Sequence, residues 1–194
     1  MDGVSDGSKA NASLHHLNNL MKSGRHQRAR SLLDLILATQ AKIEEEAESL
    51  FPDEDAWQRV RDANSYEEPF LRFHLSDEAV GRMHTLGALL ESEQGQLEKA
   101  IFHAEKAVEI GEGVLLIAGY HDRDRVVSLE RSQASRLGNL GFWQYQAGDY
   151  DKSIVNAQKS LEYYPESHVV RANLGLALLH TNQIDAALRE YTTA

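Results

Sequence analysis

The sequence predicts an all-α fold built as a helical-repeat solenoid, in which antiparallel helix pairs stack in a row. Two residue pairs, Leu140-Gly141 and Leu174-Gly175, share the same surroundings, since each is followed by an apolar stretch, a turn and a second helical segment. Self-similarity at a fixed period of ~20–50 residues is typical of repeat architectures. No Asn-Gly or Asp-Gly dipeptide lies between alternating apolar runs, so the chain carries no β-hairpin signal.

The elements follow from apolar periodicity and from turn residues. The N-terminal residues 1–11 are polar and rich in Gly and Ser, and we expect them to be flexible. Helices are predicted at 12–23, 26–49, 53–63, 67–74, 77–94, 97–111, 122–147, 151–163, 167–180 and 184–193. Asp122 or Asp124 is expected to cap the long helix that follows. The helix predicted at 151–163 is expected to end before Pro165, because proline cannot continue a helix.

One connection is predicted to be unusually long. The Gly111-Glu112-Gly113 sequence and Gly119 interrupt the helical pattern, and the apolar residues 114–118 lie between them. A lone strand would have no partner here, so we interpret 114–118 as a helical turn or a packed loop. The chain therefore divides into a degenerate helical region at 12–76, a repeat-like helix pair with this connection at 77–133, and the clearest repeats at 134–194.

Composition narrows the classes of function. The 194 residues include 20 basic and 30 acidic side chains, which gives a net charge of −10, and no Cys. The lack of Cys excludes a disulfide scaffold, a thiolate zinc site and a Cys nucleophile. No apolar run approaches the ~18–20 residues of a membrane span, and an acidic chain binds phosphate backbones poorly. We expect a cytoplasmic protein with neither membrane insertion nor a nucleic-acid partner.

The negative charge is concentrated in one segment. Residues 44–68 carry ten acidic and two basic side chains, whereas residues 131–194 carry six of each and are neutral. The favoured interpretation of 44–68 is a solvated helix face followed by an exposed connection. The alternative is an acidic surface for a basic partner.

These patterns resemble the tetratricopeptide repeat, a helix–turn–helix unit of ~34 residues. Counted from Ala134, the first copy is complete, and a second copy begins at His168 and stops within its second helix. Weaker copies surround the turns at Gly95 and Gly24, where Ala88 and Leu17 occupy the small-residue position of the first helix. The resemblance implies a right-handed superhelix of antiparallel helix pairs. The residues that it assigns to packing within and between pairs are Leu140, Gly141, Ala157, Leu174, Gly175 and Ala187.

The resemblance also implies a concave groove lined by the first helix of each pair. Carried over to this chain, the partner-binding positions are Ser135, Phe142, Tyr145, Gln146, Val169, Ala172, Leu176, Leu179 and His180. The groove would be largely apolar, with a wide notch at Gly138. Family members that clamp a C-terminal carboxylate use Lys and Asn at two groove positions, which here are Gly138 and Phe142, then Ala172 and Leu176. A peptide of that type is therefore disfavoured as ligand.

Patterns of catalytic chemistry are missing from the sequence. It contains no His-Glu-x-x-His, Gly-x-Ser-x-Gly, phosphate-binding loop or dinucleotide fingerprint. Adjacent His15 and His16 would point about 100° apart on a helix and would not readily share a metal ion. We therefore expect no enzyme activity, no metal and no cofactor.

The leading hypothesis is a protein–protein interaction scaffold that binds a peptide or helix of a partner in the groove. The alternatives are an N-terminal regulatory or targeting module of a larger enzyme or assembly, and self-association through the C-terminal end. Self-association is considered because an unfinished repeat exposes an apolar helix face.

Overall fold

The computed structural model describes residues 6–50, 77–118 and 123–193, and these ranges are helical apart from short turns. They contain no strand, which confirms the all-α class. The helices are α1 Asp6–Lys22, α2 His26–Leu50, α3 Asp77–Glu93, α4 Leu97–Ala118, α5 Arg123–Gln146, α6 Tyr150–Tyr163, α7 His168–His180 and α8 Ile184–Thr193.

Most helix boundaries lie within one or two residues of the prediction, and two differ by more. The first helix begins at Asp6 rather than at residue 12. The flexibility expected of residues 1–11 stays a prediction. The helices predicted at 53–63 and 67–74 lie outside the described residues. Helix α5 begins at Arg123, so Asp124 lies in its first turn and does not cap it, while Asp122 lies outside the described residues.

The predicted break at Gly111-Glu112-Gly113 is wrong, because α4 continues through it to Ala118. Gly111 is buried. A Cβ atom on it would overlap Gln133 Oε1 and Arg136 Nη1 of α5. The glycine is therefore a contact point between two helices. The side chain of Gln133, which is fully buried, donates a hydrogen bond from Nε2 to the carbonyl oxygen of Val108 at 3.0 Å.

The same turn joins the two helices of all four pairs. Its central residue adopts a left-handed conformation, with φ between 60° and 82° at Gly24, Gly95, Gly148 and Asn182. In each turn this residue donates its backbone N–H to the carbonyl three residues earlier. The next residue donates its N–H to the carbonyl five residues earlier. All eight bonds measure between 2.8 and 3.1 Å, the pattern that ends a helix by satisfying its last carbonyls.

A small buried residue follows each turn at the same distance. It lies five residues after the left-handed residue, where the second helix of the pair approaches the first, and is less than 2% exposed in all four pairs. These residues are Ala29, Ala100, Ser153 and Ala187. The faint N-terminal copy is therefore a helix pair with the same turn and the same small-residue position as the clear copies. The turns at Gly24 and Gly95 are separated by close to two repeat lengths.

The helices group into two compact units, Met1–Ala79 and Val80–Ala194. In the first unit, α1 packs against α2. In the second, α4 to α7 each pack against the next helix along the chain, and α5 also contacts α7. Two apolar clusters hold this unit together, one of Ala88, Ala100, Ala104, Leu140 and Trp143. The other consists of Ile154, Ala157, Val170, Leu174, Ala177, Leu178 and Ala187.

The six residues assigned to repeat packing are all buried. Gly141 brings α5 against α6, because a Cβ atom there would lie 3.1 Å from the carbonyl oxygen of Ser153. Gly175 instead faces the ring of Tyr191, whose nearest atom would be 2.8 Å from an added Cβ. Across the described ranges, none of the helices combines the length and apolar character that a membrane span requires.

Candidate functional site

A cleft of the second unit lies between α5 and α7 and has a volume of about 480 Å³. The end of α6 and the turn before α7 close one side of it. Residues of α5 that line the cleft are Arg131, Ala134, Ser135, Gly138, Asn139 and Phe142. The remaining lining residues are Ser160, Tyr164, Ser167, Val169, Val170 and Asn173.

Close packing at Gly138 fixes the floor of the cleft. Gly138 is buried, and a Cβ atom there would lie 2.8 Å from Cγ2 of Val170 and 3.4 Å from Oγ of Ser160. The wide notch predicted at this glycine is therefore filled by Val170. The Ser160 hydroxyl donates a 2.6 Å hydrogen bond to the carbonyl oxygen of Ala134, which joins α6 to α5 below the cleft.

Two asparagines at the same repeat position supply the polar groups of the cleft. Asn139 and Asn173 are one repeat length apart and lie on α5 and α7, respectively. Both are partly buried, and within the described residues neither side chain forms a hydrogen bond. Each carboxamide therefore offers one acceptor and two donor hydrogens to a ligand.

The apolar part of the cleft is exposed to solvent. Val169 is 72% exposed and Phe142 is 36% exposed, although both are large apolar side chains. They stand on facing helices, beside the two asparagines.

Arg131 gives the cleft its positive charge. Its guanidinium carbon lies 5.2 Å from the centre of the Tyr164 ring, within the range of a cation–π interaction. Arg131 is the one charged residue among those that line the cleft in the described part of the chain. Sequence reasoning missed it, because the repeat was counted from Ala134. The signal was present, since Arg131 lies one helical turn before Ser135 on the same face of α5.

The predicted groove residues fall into two groups. Ser135, Phe142 and Val169 line the cleft, and the other six do not. Leu176 and Leu179 are exposed on α7, at 39% and 44% respectively. Gln146 is also exposed, and Ala172 is partly buried.

The two remaining groove residues, Tyr145 and His180, belong to an aromatic cluster near the turns. The Tyr145 hydroxyl lies 3.1 Å from Nε2 of His180. The His180 ring stacks on Tyr150, with ring centres 4.5 Å apart and an angle of 15° between planes. The hydrogen bond and the ring contact of His180 with Tyr145 and Tyr150 join the third helix pair, α5 and α6, to the fourth pair, α7 and α8. A role in binding stays a prediction for Tyr145 and His180.

No group of three His, Asp or Glu side chains that could hold a metal ion occurs within the described ranges. The nearest approach to one is a histidine pair between α3 and α4, in which Nδ1 of His84 lies 2.9 Å from Nδ1 of His103. The ring centres are 5.1 Å apart. Two ring nitrogens at this distance share a hydrogen, with one ring as donor and the other as acceptor. Burial, with smaller contributions from His103 and Lys106, lowers the pKa of His84 from 6.5 to about 4.

Comparison with known proteins gives no family assignment. No protein-family model matches the chain, and no curated protein matches it. Among solved structures it is similar to a MamA RS-1 double mutant, at 14% identity over 95% of this chain and 92% of that one, with a TM-score of 0.33. MamA AMB-1 is also 14% identical, over 99% and 91% of the two chains, with a TM-score of 0.33. Scores this low carry no weight for function, and the fold rests on the helices and turns described above.

Proposed function

We propose that this chain is a protein-interaction scaffold that binds an extended peptide segment of a partner protein in the cleft between α5 and α7. The observation that carries the proposal is the pair Asn139 and Asn173. They present unpaired carboxamides at the same position of successive repeats, beside exposed Phe142 and Val169.

The binding mode follows from this arrangement. The backbone of a bound peptide offers N–H and C=O groups that the two carboxamides can pair with, one from each helix. An apolar side chain of the peptide would then lie between Phe142 and Val169. Burying one or two such side chains contributes about 1.5–3 kcal/mol each before ordering costs, so we expect weak binding, with a dissociation constant of roughly 0.1–1 mM.

Arg131 adds a preference to the proposed ligand. A guanidinium held over an aromatic ring keeps its N–H donors free at its edge, so it can pair with a carboxylate of the ligand. An acidic side chain on the peptide would therefore be favoured at this end of the cleft. Residues 131–194 carry six basic side chains, with Arg131 among them, and six acidic ones, so no excess of positive charge elsewhere in these helix pairs would set this preference.

Selection from a displayed library of random peptides, followed by binding measurements with fluorescent peptides, tests the proposal. The selected peptides should share an apolar residue near an acidic one. The Asn139→Ala/Asn173→Ala variant should bind them at least ten-fold more weakly, because it removes both hydrogen-bonding groups while leaving the apolar surface. Arg131→Gln should weaken chiefly the acidic peptides.

The matched control is Val155→Ala, which removes a half-exposed apolar side chain from α6 outside the cleft. This variant should bind the selected peptides like the parent protein. Selected peptides that bind the asparagine double variant and the parent equally well would place the binding surface elsewhere and refute the proposal.

A further inference from the structure

The outward face of α8 differs in one respect from the equivalent face of α6. Leu188 lies one repeat length after Ile154, at the same repeat position. Ile154 is 8% exposed, whereas Leu188 is 60% exposed. Ile184, the counterpart of the partly buried Tyr150, is also 60% exposed. The repeat thus places large apolar side chains on α8 at positions that are covered in the preceding pair.

The covered copy shows what fits this face. Ile154 belongs to an apolar cluster with residues of α7, including Val170 and Leu174, so a helix lies on the outward face of α6. In α8 the exposed apolar residues Ile184 and Leu188 follow the i, i+4 spacing and form a stripe along the helix. Tyr191, at i+7, is 40% exposed and borders this stripe, because its ring also packs against Gly175 of α7. The face of α8 is therefore suited to another helix.

Two exposed charged residues lie beside the stripe. Asp185 and Arg189 are exposed, lie on the same side of the stripe and carry opposite charges. Within the described residues neither takes part in an ion pair, although the nearby Glu190 pairs with Arg171 at 3.0 Å. When two identical helices run antiparallel about a two-fold axis, the same edge of each lies on the same side of the pair. The acidic residue on the edge of one helix then lies near the basic residue on the edge of the other.

We propose that the chain forms a two-fold symmetric dimer in which α8 packs antiparallel against α8 of a second copy. A two-fold axis midway between Ile184 and Tyr191 places Ile184 beside Tyr191 of the second copy. Leu188 then meets its own counterpart. The same axis brings Asp185 to the level of Arg189 of the second copy, with an offset of one residue or ~1.5 Å along the helix. Each pair occurs twice, once on each side of the axis.

The expected dimer is weak. Helix α8 has ten residues, so the contact falls at the low end of specific interfaces. We therefore expect a dissociation constant of roughly 10–100 µM and exchange between monomer and dimer during a sedimentation run. This surface is separate from the cleft between α5 and α7, so the proposal does not depend on peptide binding there.

Sedimentation velocity of the purified chain from about 5 to about 500 µM covers the expected transition. The average mass of the parent protein should rise from 21.7 kDa toward twice that value. Leu188→Asp should stay monomeric over the whole range, since it places a charge at the centre of the stripe. Val155→Asp places the same charge on a half-exposed apolar position of α6 and should dimerise like the parent.

Charge exchange identifies the second copy as the occupant. Asp185→Arg and Arg189→Asp each bring like charges together across the axis and should weaken the dimer at least ten-fold. The double variant D185R/R189D should recover it. A mixture of the two single variants should form a mixed dimer that neither forms alone. Circular dichroism should show the same helix content in all variants, because the altered residues are exposed.

Three results would overturn the proposal. A mass that stays at the monomer value up to the highest concentration would mean that another helix, or none, covers this face. A dimer that survives Leu188→Asp would lie elsewhere on the molecule. A double charge variant as weak as the single ones would exclude the antiparallel pairing of Asp185 with Arg189.

Discussion

A Cβ atom on Gly141 would lie 3.1 Å from the carbonyl oxygen of Ser153 and 3.4 Å from the backbone nitrogen of Ala157, so α5 and α6 meet backbone to backbone. Backbone atoms in a helix cannot move aside as a side chain can. Gly141→Ala should therefore lower the free energy of unfolding by about 1–2 kcal/mol, although alanine is the better helix former. Urea denaturation followed by circular dichroism measures this change.

Gly113 provides the matched comparison for that variant. It lies within α4, is exposed, and has no atom within 4 Å of an added Cβ. Gly113→Ala should raise the free energy of unfolding by about 0.5–1 kcal/mol, because only helix propensity and chain entropy change. If Gly141→Ala proved as stabilising as Gly113→Ala, the close approach of α5 and α6 would be wrong.

The fourth turn offers a stabilising substitution. Three of the four turns place Gly at the left-handed residue, and the fourth places Asn182 there with φ of 60°. Asn182→Gly should stabilise the protein by about 0.5 kcal/mol, since glycine adopts this conformation without a steric penalty. The reciprocal change, Gly148→Ala, should destabilise it by about 1 kcal/mol. Thermal unfolding of the two variants should therefore shift in opposite directions.

Gln133 is expected to contribute to stability through two buried hydrogen bonds, because its Oε1 also accepts a 3.5 Å hydrogen bond from Nη1 of Arg136. Its side chain is fully buried and bonds to the carbonyl oxygen of Val108. Gln133→Leu keeps the approximate size but leaves that carbonyl without its side-chain donor, so the free energy of unfolding should fall by about 1–3 kcal/mol. Ser132→Ala, an exposed neighbour on α5, should change it by less than ~0.5 kcal/mol. Equal effects of the two variants would contradict this role for Gln133.

The histidine pair predicts a dependence of stability on pH. The pKa of His84 is lowered to about 4 in the folded protein, against 6.5 for the free side chain. Between these values the unfolded chain binds the proton and the folded protein does not, so stability falls as the pH drops from 6.5 toward 4. Because His84 is only partly buried, solvent screening limits its contribution to about 1–2 kcal/mol.

Urea denaturation at several pH values, on the parent and on His84→Asn, isolates this contribution from that of the carboxylates. The difference in free energy of unfolding between the two proteins should shrink between pH 6.5 and 4, and be constant above pH 6.5. His103 and Lys106 lie near His84, and both favour its neutral form. A difference that is independent of pH would show that His84 is protonated as readily in the folded protein as in the unfolded chain.

The repeat could be predicted because its signals are local. A left-handed glycine, a small residue five positions later and a Leu-Gly pair before the turn each act within one helix pair, so the sequence displays them directly. In the weaker copy around Gly95, Ala88 takes the buried small-residue position of the first helix. Contacts between residues of different helix pairs have no comparable pattern in the sequence, so they could not be predicted from it.

Gly111 shows why the remaining fold could not be predicted. In sequence, a glycine that ends a helix and a glycine that admits a neighbouring side chain look alike. Only the positions of Gln133 and Arg136, which lie on the next helix along the chain, distinguish them. The cleft has the same difficulty. Groove positions counted along α7 identify exposed residues such as Leu176, but they do not show where α6 and the turn at Tyr164 close the cleft.

Both apolar clusters of the second unit connect three helices that are consecutive in the chain. The contacts that stabilise this unit therefore join residues close in sequence, which favours rapid folding. Folding can begin within one group of neighbouring helices and extend to the next, without waiting for distant segments to meet. Amide hydrogens should accordingly exchange slowest near Leu174 and Ala157 and fastest at the exposed end of α4, where Leu116 is 70% exposed.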